Sequence, residues 1–206
     1  MIELLTADTP NGKKISIMLE EINFEYKVTK INIFKDEQFE PSFRKISPFS
    51  KIPVIKDGDI SIFESGAILI YLGEKSGKFY NDDERLIINQ WLMGQMAYIG
   101  PMLGQHHQFH HYNPGKSEFC EERYFKIAKR IYGDLDERLS QSEYLAGKNY
   151  TIADIATFPW IARHEWHDIG LQNFKHLTRW YSSIAKRPAV IKGYDLLKKG
   201  DTVPSA

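Results

Sequence analysis

Three short segments carry side chains suited to holding a thiol and the peptide attached to it. Thr9-Pro10-Asn11-Gly12 stands between an apolar strand-like run and an amphipathic helical one. Threonine before proline makes a good helix N-cap, and proline is tolerated at the first helical position, where its missing N–H costs nothing. The free amides and positive dipole end of such a turn favour an anion, a thiolate included. Ile52-Pro53 opens an apolar strand, where proline is out of place unless its peptide bond is cis. A cis bond there leaves the Ile52 N–H and C=O available to an extended peptide. Glu64-Ser65-Gly66 puts a carboxylate and a hydroxyl at another helix start, a pair suited to an amino-acid head group. Taken singly, the first and third segments read first as plain helix caps, and Pro53 reads also as an edge-strand proline.

Other reactive side chains carry less. Cys120, the one cysteine, falls inside a helical pattern and reads as an unreactive thiol. His106, His107, His110 and His111 form two i,i+4 pairs, a spacing able to hold a metal on one helical face. No matching set of Cys, Asp or Glu lies nearby in sequence, so the expectation is no metal. The histidines are expected instead to border a second-substrate site, with Phe109, Tyr112 and Trp166 as neighbours. Trp91, Trp160 and Trp180 sit in helical patterns and read as core.

The elements that must position these residues change character along the chain. Ile2 to Leu5 is a short apolar strand, and Ile15, Met18, Leu19 and Ile22 recur at helical spacing after it. Tyr26, Val28 and Ile31 mark a second strand. Ile52 to Ile55 and Ile60 to Phe63 flank Lys56-Asp57-Gly58-Asp59, and an Asp-Gly pair between β-type runs signals a hairpin. A helix follows from Ser65. The order βαβ, hairpin, α implies a small mixed sheet with helices on it. Beyond a polar link at 77–83 only helical patterns remain. One long helix runs from Glu84 to about His111, kinked or broken at Pro101; another spans Ser117 to Leu139. Thr151-Ile152-Ala153-Asp154 is a capping box, and Phe174 to Lys186 and Val190 to Lys199 are the last helices.

Bulk properties narrow the function classes. The 206 residues fit one domain of about 80 and one of about 120. Lysine plus arginine balance aspartate plus glutamate, 27 against 27, so no basic field exists for nucleic acid or an anionic membrane. The densest apolar stretch, Ala67 to Leu72, is far below the ~20 residues that span a bilayer. A single cysteine allows no intrachain disulfide, and the first residues lack a basic segment followed by an apolar run. Together these point to the cytoplasm.

The joint spacing of Ser47-Pro48, Lys51-Ile52-Pro53-Val54 and Phe63-Glu64-Ser65-Gly66-Ala67-Ile68 resembles the thioredoxin-like domain of glutathione transferases. Thr151 to Asp154 followed by Phe158-Pro159-Trp160 is similar to that family's second-domain signature. Thr9-Pro10-Asn11-Gly12, Gln38-Phe39, Ile46-Ser47-Pro48 and Gly100-Pro101-Met102-Leu103-Gly104-Gln105 resemble the nu class, whose bacterial members are glutathione-dependent disulfide-bond oxidoreductases. The resemblance covers essentially the whole chain. It implies an α/β plus all-α fold: a thioredoxin-like N-terminal domain over 1–77 and an all-helical C-terminal domain over 84–206 that forms the second-substrate site.

The resemblance also assigns roles. Thr9 and Asn11 lie at the sulfur of glutathione, the co-substrate, and Gln38 contacts its glycyl end. Ile52, beside cis-Pro53, pairs with the cysteinyl part, while Glu64 and Ser65 hold the γ-glutamyl head. Arg123 aligns with an arginine lining the same cleft. Other classes place a tyrosine, serine or cysteine at the end of strand one; Thr6, Ala7 and Asp8 offer no tyrosine or cysteine. The expected activity is disulfide exchange by glutathione's own thiolate, with weak transferase or peroxidase activity beside it. A conjugating transferase for small electrophiles and a non-catalytic interaction protein are the alternatives. A two-fold homodimer, acting without nucleic acid or membrane, is the expected assembly.

Overall fold

A computed structural model describes all residues, 1–206. It divides into two compact units, residues 1–80 with 187–203, and residues 81–186 with 204–206.

The first unit is built on a four-stranded mixed sheet in the order β2-β1-β3-β4. Its strands are β1 (Ile2–Thr6), β2 (Tyr26–Lys30), β3 (Val54–Asp57) and β4 (Ile60–Phe63). β1 runs parallel to β2 and antiparallel to β3, and β4 returns from β3 through the Gly58 turn at φ 60°. Paired on both edges, β1 has Leu4 fully buried and Leu5 nearly so, as its apolar run requires. The helices are α1 (Pro10–Ile22), a short α2 (Pro41–Arg44) and α3 (Ser65–Ser76). This is the thioredoxin-like arrangement expected, and the Ile52–Pro53 bond is cis.

The chain's last helix corrects the expected division. Although 84–206 reads as one helical domain, the helix Pro188–Leu197 (α9, below) packs on α1 in the first unit. A helix can approach another's backbone closely only where a side chain is missing, and Gly193 supplies that gap. A Cβ at Gly193 would lie 2.8 Å from Ile17 Cα. Ser16 Oγ donates to the Gly193 carbonyl at 2.8 Å. The buried Lys13 Nζ donates to the Tyr194 carbonyl at 3.1 Å and to Asp201 at 2.6 Å, and Arg187 grips Glu21 with two bonds of 2.5 and 2.9 Å.

The second unit holds α4 (Arg85–Gly94), α5 (Gly100–His106), α6 (Glu118–Gln141), α7 (Ile152–Ile161) and α8 (Lys175–Ala185); α9 follows at 188–197. The break expected at Pro101 is a change of winding. Residues 95–99 and 107–112 are π-helical, so one helical path runs from 85 to 112. The wider turn before Pro101 accommodates a ring that cannot bond to the carbonyl four residues back. α7, buried along its whole length, is the centre. The Thr151–Asp154 capping box forms at its start. Asp154 is fully buried and accepts from Leu145 N, Trp180 Nε1, Thr151 N and Thr151 Oγ1 at 2.8–3.1 Å. Burial raises its carboxyl to about 6, against the pull of these donors. No helix is long and apolar enough to cross a membrane.

Of the four clustered histidines, His106 and His107 are part of this core, while His110 is half-buried and His111 exposed. They stack on one another and on aromatic rings: His106 on His110 at 4.7 Å, and His111 on Trp166 at 4.2 Å. His107 lies against His167 at 4.5 Å, its ring also over Trp160. His106 Nε2 meets the His167 carbonyl at 2.9 Å, and His167 Nδ1 meets the Tyr132 hydroxyl at 2.7 Å. No group of three His, Cys, Asp or Glu residues converges as metal ligands would. Burial pushes His106, His164 and His167 below the usual histidine range and His107 down to about 3.

Two stability measurements test this packing. In an open helix Gly→Ala stabilises by about 1 kcal/mol. At Gly193 the added methyl meets backbone, so Gly193→Ala should lower stability by about 1–3 kcal/mol. Gly133→Ala on α6, where nothing lies within 4 Å of the new methyl, should raise it; urea midpoints give both signs. The second measurement is the pH dependence of the melting temperature. Above about pH 6.5 the histidines are neutral folded or unfolded. Below it the unfolded chain takes protons that the folded one refuses, so stability falls with pH until His107 protonates near 3. At pH 5 His107 alone should cost about 2 kcal/mol. Asp154, whose folded carboxyl is raised, acts oppositely: its contribution is present below about pH 4 and lost as pH rises through about 6. One carboxyl offsets only part of the effect of four histidines. The melting temperature should therefore drop between pH 7.5 and 5, and His107→Gln should flatten the drop.

Candidate active site

The strand register brings three of the segments to one end of the first unit's sheet. Leu5 pairs with Val54, and Val54 with Phe63. The residues just beyond these pairs are therefore neighbours: Thr6 and the turn into α1, Pro53 and Ile52, and Glu64 with Ser65. β2 runs parallel to β1 with Lys30 opposite Thr6, so the connection holding Gln38 leaves from the same end.

Each segment has local reasons for its shape. Thr9 is the N-cap of α1, extended at φ −141°, and its hydroxyl accepts the Gly12 N–H at 3.1 Å. Pro10 follows at the first helical position and Asn11, half-buried, at the second. The loop into Pro53 is held by Ser47, whose hydroxyl donates to the Lys51 carbonyl at 2.7 Å and accepts the Lys51 N–H at 3.1 Å. No backbone hydrogen bond within the chain engages the N–H or C=O of Ile52. Gln38 is half-buried; its Nε2 donates to the Ile33 carbonyl at 3.4 Å, and its Oε1 is buried without a partner in the chain.

Glu64 departs from the plain cap that its position allows. It occupies the N-cap of α3, yet its side chain makes no capping bond and its carboxylate is exposed. Its φ is +69°, a left-handed value for which a residue with a Cβ incurs about 1–3 kcal/mol of strain. Ser65, first in the helix, is buried at 6% exposure.

The first unit thus collects Thr9, Asn11, Ile52, Pro53, Glu64 and Ser65 at one sheet end, with Gln38 on the connection that leaves it. Arg123 is exposed on the second turn of α6 in the other unit, and the first unit's geometry does not include it. Cys120 lies half-buried on the first turn of α6. One residue was missed. Lys14 is 1% exposed and donates from Nζ to Ser65 Oγ at 3.2 Å. Its signal was present: it stands four residues before Met18, on the apolar face of α1, where a lysine has no place by pattern alone.

Family models match both parts of the chain. The glutathione S-transferase N-terminal domain matches residues 3–74, and the C-terminal domain residues 95–188. The disulfide-bond oxidoreductase YfcG of Escherichia coli (strain K12) is 43% identical over 96% of this chain and 95% of its own. A glutathione transferase from Burkholderia graminis, solved with two glutathione molecules per subunit, is 38% identical with a TM-score of 0.89, covering 97% of this chain and 89% of that one. A glutathione transferase from Pseudomonas putida, solved with one glutathione disulfide per subunit, is 38% identical with a TM-score of 0.87, covering 97% and 91%. Both domains are present in the family's order, and the chain belongs to the glutathione S-transferase family.

Proposed function

We propose that this chain is a glutathione-dependent disulfide-bond oxidoreductase in which the attacking sulfur belongs to glutathione and no protein cysteine takes part. The observation that carries the reading is the sheet end itself. It offers backbone groups at Ile52, a carboxylate and hydroxyl at Glu64 and Ser65, and hydroxyl and amide donors at Thr9 and Asn11. A γ-glutamyl-cysteinyl tripeptide needs this set. Ile52 takes the cysteinyl backbone, Glu64 and Ser65 the head group, and Gln38 the glycyl end. The names of the E. coli and P. putida relatives, an oxidoreductase and a transferase holding glutathione disulfide, support the same chemistry.

A free thiol has a pKa of about 8.5, and helix N-termini and hydrogen-bond donors lower it. Thr9 Oγ1 already accepts from Gly12, which polarises its own O–H toward donation to the thiolate. That thiolate attacks one sulfur of a substrate disulfide, the S–S bond breaks, and the departing thiolate takes a proton. A second glutathione then attacks the mixed disulfide, releasing the reduced substrate and glutathione disulfide. Two glutathiones per subunit in the B. graminis relative fit this stoichiometry. The histidine-rich face of the second unit, with Phe109, Tyr112 and Trp166, is the proposed wall of the second-substrate site, and the working form is taken to be a cytoplasmic homodimer.

Turnover of 2-hydroxyethyl disulfide with glutathione, measured beside conjugation of chlorodinitrobenzene, tests the reading. Disulfide turnover should dominate; strong conjugation without it would make the chain a conjugating transferase, and failure to bind glutathione would leave a non-catalytic fold. Asn11→Ala should lower disulfide turnover by about 10–100-fold, the worth of one hydrogen bond to a charged group. Cys120→Ala should leave it within about twofold, since no bond to that sulfur forms or breaks. The reverse pattern would refute the cysteine-free mechanism.

A further inference from the structure

Lys14 is a buried cation that packing alone does not call for. Removing an ammonium from water costs several kcal/mol, and an apolar side chain of similar volume would fill the same space without that cost. Its ammonium is aimed at the start of α3, where it donates to Ser65 Oγ, and the Glu64 carboxylate is the charge that acts on it. The other carboxylates near this part of α1 are engaged elsewhere: Asp8 and Asp201 pair with Lys13, at 3.0 and 2.6 Å. From α9 the groups facing that neighbour are the Tyr194 carbonyl and ring. A hydroxyl that accepts from an ammonium is polarised to donate its own proton onward, and so prefers an anionic acceptor to a neutral one.

We propose that Lys14 is a positioning and specificity-determining residue for the α-carboxylate of the γ-glutamyl head: through Ser65 it selects a carboxylate there and leaves Glu64 to the α-ammonium. This rests on the glutathione reading above and adds a residue to it. Burial brings Lys14 down to about 7, so its charge is strongest below neutral pH and fades above it.

The test uses S-methylglutathione, which cannot react, and its analogue with the γ-glutamyl α-carboxylate converted to the amide. Calorimetry at pH 6.5 keeps the amino groups of both ligands protonated. Wild type should prefer the carboxylate by about tenfold or more, a charge-assisted hydrogen bond's worth. Lys14→Met and Lys14→Leu, two apolar replacements in case one fails to fold, should lose most of that preference while melting no lower than wild type. Their KM for glutathione should rise about tenfold with kcat nearly unchanged. From pH 6 to 8 the affinity of wild type for S-methylglutathione should weaken several-fold more than that of the variants. Folded variants that keep the carboxylate preference, or pH curves parallel to wild type, would overturn the role of Lys14. A wild type that binds neither ligand would instead refute the glutathione reading.

Discussion

The pairing of Leu5 with Val54 and of Val54 with Phe63 is the constraint on which the proposed chemistry depends. Register in a sheet is all or nothing, because a slip by one residue turns every side chain to the other face. Leu5 and Val54 belong to the buried cluster with Phe43, so a slip would also expose that core. Held in this register, three chain segments end at the same level, and each contributes a group of its own: the Thr9 hydroxyl and Asn11 side chain at α1, the Ile52 peptide, and a strained Glu64 that caps nothing.

How much of this was legible in the sequence follows from the range of each interaction. Local signals carried well: the Asp-Gly hairpin, the proline before β3, the Thr-Pro cap and the Thr151–Asp154 box are each decided within a few residues, and each is where it was read. The identity of α9 was legible but its partner was not, because periodicity reports a helix's apolar face and not which core receives it. Gly193 and the buried Lys13 decide that, across more than half the chain. His164 and His167 were silent for the same reason; only the folded unit brings His167 under His106 and His107 and sets His164 against Tyr181.

Lys14 is a different kind of omission. A lysine on an apolar helical face is easily taken for one whose stem is covered while its charge reaches water. Here burial is complete and the charge faces inward, as it does for Lys13 beside it. The two neighbouring lysines divide the surroundings of α1 between them, one fastening the C-terminal segment and the other facing α3. The helical unit handles its polar groups in the other way, saturating Asp154 with four donors and keeping its buried imidazoles neutral.

The return of α9 to α1 also orders the birth of the molecule. A ribosome releases residues 81–186 as a complete set of helices while Ile17 still waits for Gly193. Helix α1 therefore lies with one flank uncovered until the segment that follows residues 81–186 has been made.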